Sequence, residues 1–188
     1  MRSGDAGSLY AQLVELQQTV GNRAVTVALR GGPANVSLHG ETSGTYDGGT
    51  SVVGKPNVAR AKGCDCPEED PCLRATGTIA VTYHVDVTIG MPSMPGGLSE
   101  CQQGRVRAFL RDVLGPHEQE HARRLRTYNG TTRRTYSITG CGRAGLESAM
   151  SSQLQQMHDD EATARATASD QLSAAIDPFN RPIDLDCD

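Results

Sequence analysis

Residues 115–128 read GPHEQEHARRLRTY, and this stretch predicts the central helix of the fold. Pro116 suits the first turn of a helix, where a backbone N–H is not needed for intrahelical bonding. His117 and His121 stand one helical turn apart, so their side chains would lie on the same face of that helix. The stretch therefore predicts a helix that presents two imidazoles side by side.

The run from His117 to His121 has the pattern HExxH, which is typical of zinc-dependent hydrolysis. Two imidazoles and one carboxylate form the zincin ligand set, with a fourth position open for water. Zinc lowers the pKa of that water to about 7, and a neighbouring carboxylate can then accept its proton. We therefore expect Zn²⁺ bound by His117 and His121, with Glu118 as the catalytic base. Glu120 lies off the ligand face of the helix, and we expect it to face solvent. The alternative is a charged surface helix with two exposed histidines.

The third zinc ligand must come from elsewhere in the chain. We expect Glu161, because zincin sites of one type take a glutamate from a following helix and the alanines around Glu161 would let that helix pack closely. Three other residues of the same region are alternatives: His158, Asp160 and Asp177. The donor that stabilises the oxyanion is left open among Tyr128, Arg133 and Tyr136.

The clearest strand pattern is TIAVTYHVDVTIG at 78–90, where apolar and polar residues alternate. Strict alternation predicts one half-buried strand, with His84 and Asp86 on its solvated face. Such a strand could offer an edge to an extended peptide. The earlier stretches NVSLHG and GTYDGGTSVV predict further short strands with glycine turns.

The helices follow the strands. Ser99 and Gln102 form a capping-box pattern that predicts a helix from Glu100, which we expect Gly115-Pro116 to interrupt. A Gly- and Thr-rich turn is expected at 129–142 and a long helix at 144–175, while 8–19 and 23–29 predict an N-terminal helical hairpin. The sum is an α+β fold with a small antiparallel sheet. A helical segment at 1–30 precedes one domain at 31–188.

Six cysteines in a chain of this size predict disulfides and an oxidising compartment. The loop KGCDCPEEDPC could instead bind a metal, but it lacks the paired C-x2-C spacing of structural zinc sites. We expect at least two disulfides and secretion of the protein. The first residues, MRSGDAGSLYAQL, contain no apolar core typical of a signal peptide, so export would need a leader outside this sequence or a route without one.

Composition excludes several function classes. The formal net charge of −4 disfavours nucleic-acid binding through counterion release. No apolar run is long enough to predict a membrane span. The aromatic content is 4% with no tryptophan, which disfavours an aromatic-lined carbohydrate groove.

Residues 36–184 resemble a family of uncharacterised bacterial proteins that are classed as secreted zinc-dependent peptidases. The matching features are the strand VTYHVDVTIGMP, the helix leading into HEQEHARRL, Cys141 and a long helix ending in AIDPFN. The resemblance implies a zincin-like peptidase domain acting on a protein or peptide substrate, with His117 and His121 as ligands and Glu118 as the base. The family often carries Tyr-Asp and His-Gly near its last segment. This chain has Ile176-Asp177 and Pro182-Ile183 there, so a family histidine would be missing.

Near the N-terminus, LQQTVGNRAV resembles a short element of proteins linked to contractile injection systems and bacterial toxins. The resemblance implies docking to a secretion or injection machinery. It also supports an alternative function, a non-catalytic cargo or interaction module whose zinc is structural or absent.

Overall fold

The computed structural model describes residues 35–187. The chain divides into two compact units. Among the described residues, the first unit comprises 35–40, 90–115 and 179–187, and the second comprises Glu41–Ile89 and Pro116–Pro178. The helical segment at 1–30 and the single domain at 31–188 stay predictions, because the boundary between them lies outside the described residues. The N-terminal helical hairpin and the LQQTVGNRAV element lie outside the described residues.

The first unit contains a short two-stranded sheet and a capped helix. Strand β1 (Asn35–Val36) pairs antiparallel with β8 (Ile183–Asp184). Helix α1 (Glu100–Phe109) begins with the predicted capping box, in which Ser99 and Gln102 exchange side-chain to backbone hydrogen bonds of 3.3 and 3.1 Å. The core of this unit is aliphatic and aromatic, and its buried members are Val36, Leu38, Leu98, Val106, Phe109, Leu114, Ile183 and Leu185.

The second unit is built on an antiparallel sheet around the long strand β5 (Cys72–Tyr83). Strand β7 (Gly130–Cys141) pairs with β5 along its whole length, from Cys72 opposite Cys141 to Tyr83 opposite Gly130. Strands β3 (Thr50–Val53) and β4 (Asn57–Arg60) therefore share the other edge of β5. Because β5 has neighbours on both sides, residues 78–83 of the predicted strand offer no free edge to a peptide.

The predicted single strand at 78–90 is divided in two. The pairing of β5 ends at Tyr83, and after His84 the strand β6 (Val85–Gly90) pairs with β2 (Glu41–Tyr46) in a separate sheet. His84 and Asp86 are exposed, as expected, and they contact each other at 3.2 Å. Apolar and polar residues alternate from β5 through His84 into β6. The alternation therefore indicates extended backbone, but it does not indicate which strand pairs with β5 and which with β6.

The predicted turn at 129–142 is instead strand β7. On β7 the buried side chains are Tyr136 and Ile138, which face the core with the apolar residues of β5. The other face of β7 carries threonine, serine and arginine side chains, so its apolar signal is limited to two positions. This strand is stabilised by its pairing with β5, which is distant in sequence. The pattern of residue types within β7 therefore does not indicate it.

The long helix α3 (Gly142–Ala174) packs on this sheet, close to the predicted span 144–175. Leu146 and Leu154 join the core formed by Ile79, Val81 and Tyr83. A side chain at Gly140 would collide with the backbone of Leu146, so glycine allows the first turn of α3 to lie directly against β7.

Helical residues continue without interruption from 100 to 128, contrary to the predicted break at Gly115-Pro116. A π-helical turn (Leu110–Leu114) follows α1, and then come α2 (Gly115–Leu125) and a 3₁₀ turn (Arg126–Tyr128). In the π turn Gly115 donates its N–H to Leu110, five residues back, and this wider turn relieves the clash that Pro116 would cause inside a regular helix.

All six cysteines lie among the described residues, and all are paired. The disulfides join Cys64 to Cys72, Cys66 to Cys141 and Cys101 to Cys187. The expectation of at least two disulfides is confirmed in this structure, and the cysteine-rich loop is tied to the ends of β5 and β7. Of the helices in residues 35–187, none has the length and apolar character that crossing a membrane requires.

Candidate metal centre

Helix α2 places the two motif histidines against each other. The ring centroids of His117 and His121 are 4.6 Å apart, and their Nε2 atoms are separated by 3.1 Å. Both side chains are mostly buried, with exposed fractions of 13% and 10%. The predicted presentation of two imidazoles on one helix face is therefore found, and the alternative of two exposed surface histidines is not.

A carboxylate from the end of α3 completes the group. The Oδ1 atom of Asp177 lies 3.7 Å from Nε2 of His117 and 3.5 Å from Nε2 of His121. Asp177 sits just beyond the last turn of α3, where its N–H donates to the carbonyl of Ala174 at 3.1 Å. Its side chain is 55% exposed, so the group is open to solvent on the carboxylate side.

The separations in this group fit a single zinc ion. Two atoms bonded to the same zinc cannot be further apart than the sum of their bond lengths, about 4 Å for nitrogen and oxygen ligands. The three separations of 3.1, 3.5 and 3.7 Å all meet that limit. The C-terminal end of α3 adds a partial negative charge nearby, which favours a cation. Within residues 35–187 this is the one cluster of three potential ligands of this kind.

Glu118 follows His117 on α2 and is contacted by a threonine of strand β2. Its side chain is buried, with 4% exposed, and the Thr42 hydroxyl donates to its Oε2 atom at 2.6 Å. The same hydroxyl lies 3.3 Å from the backbone carbonyl of Glu118. Thr42 of strand β2 thus holds the Oε2 atom of this carboxylate and makes no hydrogen bond to its Oε1 atom.

Glu120 differs from Glu118 in both position and charge environment. Its carboxylate accepts hydrogen bonds from Arg123 and Arg124, which lower the pKa of Glu120 to about 2. The Glu120 side chain is 34% exposed, so it is partly open to solvent, toward which the sequence predicted it to face. The two glutamates of the motif therefore form a matched pair: Glu118 is buried and contacts Thr42, and Glu120 is partly exposed and paired with two arginines.

The predicted third ligand Glu161 is not brought to the histidines. Its carboxylate accepts from Thr132 at 3.1 Å and Arg165 at 3.4 Å, and it forms an ion pair with Arg134. Burial alone would raise the pKa of Glu161, but the hydrogen bond from Thr132 and the two arginines overcome it, so the pKa is lowered.

Helix geometry explains why Glu161 is placed elsewhere. Ser173 of α3 contacts His121, and Glu161 lies twelve residues earlier on the same continuous helix. At 1.5 Å per residue this displaces Glu161 by about 18 Å along the helix axis. Of the alternatives, Asp177 joins the histidines, whereas His158 contacts the carbonyl of Gly48 at 2.8 Å and Asp160 is exposed.

The three residues considered for the oxyanion have other surroundings. The Tyr128 hydroxyl is directed to Asp47 at 3.5 Å. Tyr136 lies opposite Gly77 in the sheet, and Arg133 is on the exposed face of β7. The structure thus selects none of the three for the group around His117.

Two residues of the site were missed by the sequence reasoning. Thr42 contacts Glu118 from strand β2, and Ser173 contacts His121 from helix α3. Neither belongs to a spacing pattern, because each reaches the motif from a distant part of the chain. Only the small-residue character of α3 hinted that this helix approaches the motif closely.

The comparisons with other proteins returned no match: no family model, no curated protein and no solved structure matches this chain. The functional interpretation therefore depends on the geometry of the site.

Proposed function

We propose that this chain is a zinc-dependent metallopeptidase, in which His117, His121 and Asp177 hold Zn²⁺ and Glu118 is the general base. The observation that carries the proposal is the meeting of Asp177 with the two Nε2 atoms, beside a buried glutamate of the same motif. If the motif were only a charged surface helix, nothing would require a carboxylate from beyond the end of α3 to lie next to its two histidines.

The chemistry divides between the ion and the chain. Zinc bound at this group would polarise the scissile carbonyl and lower the pKa of a coordinated water to about 7. Glu118 takes a proton from the attacking water and delivers it to the leaving amine. Thr42 holds one carboxylate oxygen of Glu118, so the carboxylate is positioned before substrate arrives.

We infer a peptide substrate from the strand that contacts Glu118. Thr42 lies on β2, whose strand partner within residues 35–187 is β6. An extended peptide adding to the other edge of β2 would run past the catalytic carboxylate and gain main-chain hydrogen bonds. We further infer that the protein works outside the reducing cytosol, because three disulfides persist in oxidising compartments.

Two measurements test the proposal. Elemental analysis after dialysis should find one zinc per chain, and His121→Ala should remove it. On a quenched fluorescent peptide library, Glu118→Gln should lower the cleavage rate by about 10²-fold or more while keeping zinc. Glu120→Gln, which changes the other glutamate of the motif, should cleave at close to the parent rate.

The outcomes separate the candidate functions. A parent protein without zinc, or zinc retained in full by His121→Ala, would show that the ligand assignment is wrong. Equal cleavage by Glu118→Gln and the parent would exclude Glu118 as the base. If both bind zinc and neither cleaves any peptide, the interaction-module function replaces the peptidase.

A further inference from the structure

We propose that Ser173 is a positioning residue of the metal centre, whose hydroxyl holds His121 in the tautomer that can bind a metal ion. The inference rests on the proposed metal site and deepens it. The Oγ atom of Ser173 lies 2.8 Å from Nδ1 of His121, and both side chains are buried.

The two ring nitrogens of His121 face different partners. Nε2 faces His117 and Asp177, and Nδ1 faces Ser173. A neutral imidazole carries one N–H, so Nε2 has a free lone pair only when the proton is on Nδ1. A hydroxyl that accepts from Nδ1 stabilises that tautomer and fixes the ring plane. Partners of this kind behind metal-binding histidines typically change metal affinity by about 10–100-fold when removed.

The serine is suited to accept this hydrogen bond. A serine within a helix can donate its own proton to a carbonyl of the preceding turn, which leaves an oxygen lone pair for an outside donor. Ser173 lies in the last turn of α3, so its orientation is set by the helix.

The backbone that directly follows this turn of α3 supplies the third ligand. Ile176 donates its N–H to the carbonyl of Ser173 at 3.3 Å, and Asp177 donates to that of Ala174 at 3.1 Å. These bonds connect the positioning hydroxyl to the ligating carboxylate through one short piece of backbone. The end of α3 therefore places Ser173 at Nδ1 of His121, and the residues that follow place Asp177 at Nε2 of the same ring.

Ser169 provides a matched control. It lies one turn earlier on α3, is also buried, and its hydroxyl lies 3.0 Å from that of Thr127. Ser169→Ala removes a buried serine hydrogen bond from the same helix without touching His121. A general loss of helix packing would affect both variants, whereas loss of the imidazole contact would affect Ser173→Ala alone.

The experiment measures zinc affinity by competition with a chromophoric chelator, and zinc release by stopped flow. Ser173→Ala should bind zinc about 10–100-fold more weakly than the parent. Ser169→Ala should match the parent. Ser173→Thr and Ser173→Val form a second pair of nearly equal shape, and Thr should bind zinc more tightly than Val because it keeps the hydroxyl.

Each result decides the inference separately from the peptidase function. Equal zinc affinity in Ser173→Ala and the parent, or in the Thr and Val variants, overturns the positioning role and leaves the proposed function standing. Weaker zinc binding in Ser173→Ala supports the positioning role even if no variant cleaves peptides. A parent without zinc affinity overturns both. If Ser173→Ala does not fold, the Thr and Val pair decides.

Discussion

Asp177 Oδ1 lies 3.5 Å from His121 Nε2, although the two residues belong to the end of one helix and the middle of another. Of the three clustered residues, Asp177 is exposed, and it lies opposite the mostly buried imidazoles of His117 and His121. Because Asp177 follows the last turn of α3, the length of that helix decides which carboxylate reaches the histidines. The proposed ligand set therefore depends on where α3 ends.

The first prediction compares the two carboxylates that compete for the third ligand position. Asp177→Ala should lower zinc affinity by about 10-fold or more, because one of the three proposed protein ligands is lost. Glu161→Ala should leave zinc affinity unchanged, because its carboxylate is bound to Arg134, Arg165 and Thr132. Chelator competition on the folded proteins measures both.

The comparison has a clear contrary result. If Glu161→Ala loses zinc while Asp177→Ala keeps it, Glu161 is the ligand in solution and the group around Asp177 does not form. Circular dichroism of both variants controls for loss of the α3 helix.

The second prediction concerns the disulfide from Cys66 to Cys141, which links residues 75 positions apart. Replacing both cysteines by serine should lower the free energy of unfolding by about 2–5 kcal/mol, because the unfolded chain regains conformational freedom. Urea denaturation measures this. Mass spectrometry of alkylated, unreduced parent protein should find no free thiol, and six alkylated cysteines would contradict the pairing.

The third prediction uses the lowered pKa of Glu161. A carboxyl group whose pKa is lowered on folding stabilises the protein above its unfolded pKa of about 4.5, and this stabilisation is lost as the pH falls through the lower folded value. The charged or titratable side chains facing it are those of Tyr83, Arg134, His158 and Arg165.

Glu161→Gln should therefore reduce the free energy of unfolding at pH 7 by about 1–3 kcal/mol. The difference from the parent should shrink as the pH is lowered below the unfolded pKa of Glu161. Urea denaturation at several pH values measures it, with Glu147→Gln as the control, because Glu147 is exposed on the same helix and is 3.8 Å from Arg143. A difference that is constant with pH would show that ionisation of Glu161 is not involved.

Local signals predicted part of this molecule well. The capping box at Ser99, the long helix α3 and the shared face of His117 and His121 all depend on residues within a few positions of one another. A helix repeats its own contacts every turn, so such patterns are visible without knowledge of the partner.

The remaining features depend on long-range packing. Strand β7 is paired along β5, yet its outward threonines conceal the alternation that would have indicated it. Glu161 and Asp177 are both acidic residues of the C-terminal region, and their separation along α3 alone decides which one reaches His121. Thr42 and Ser173 carry no motif of their own, so only their contacts identify them.

The last prediction concerns Thr42 as a positioning residue for Glu118. Its hydroxyl donates to Oε2 at 2.6 Å, and the carboxylate it contacts is buried. Thr42→Val keeps the shape but removes the donor, so a buried carboxylate would lose a hydrogen bond and its fixed orientation. We expect kcat to fall by about 10-fold with KM and zinc content unchanged, which is the pattern of an interaction that acts in the transition state.

Two further variants make this prediction specific. Thr42→Ser keeps the hydroxyl and should restore most of the rate, whereas Thr45→Val changes an exposed threonine of the same strand and should have no effect. Steady-state kinetics on one peptide, with zinc analysis of each variant, distinguish orientation of the base from damage to the metal site. If Thr42→Val cleaves as fast as the parent, Glu118 does not depend on this hydrogen bond. If Thr42→Val loses zinc, the substitution has disturbed helix α2, which carries both Glu118 and the two histidines.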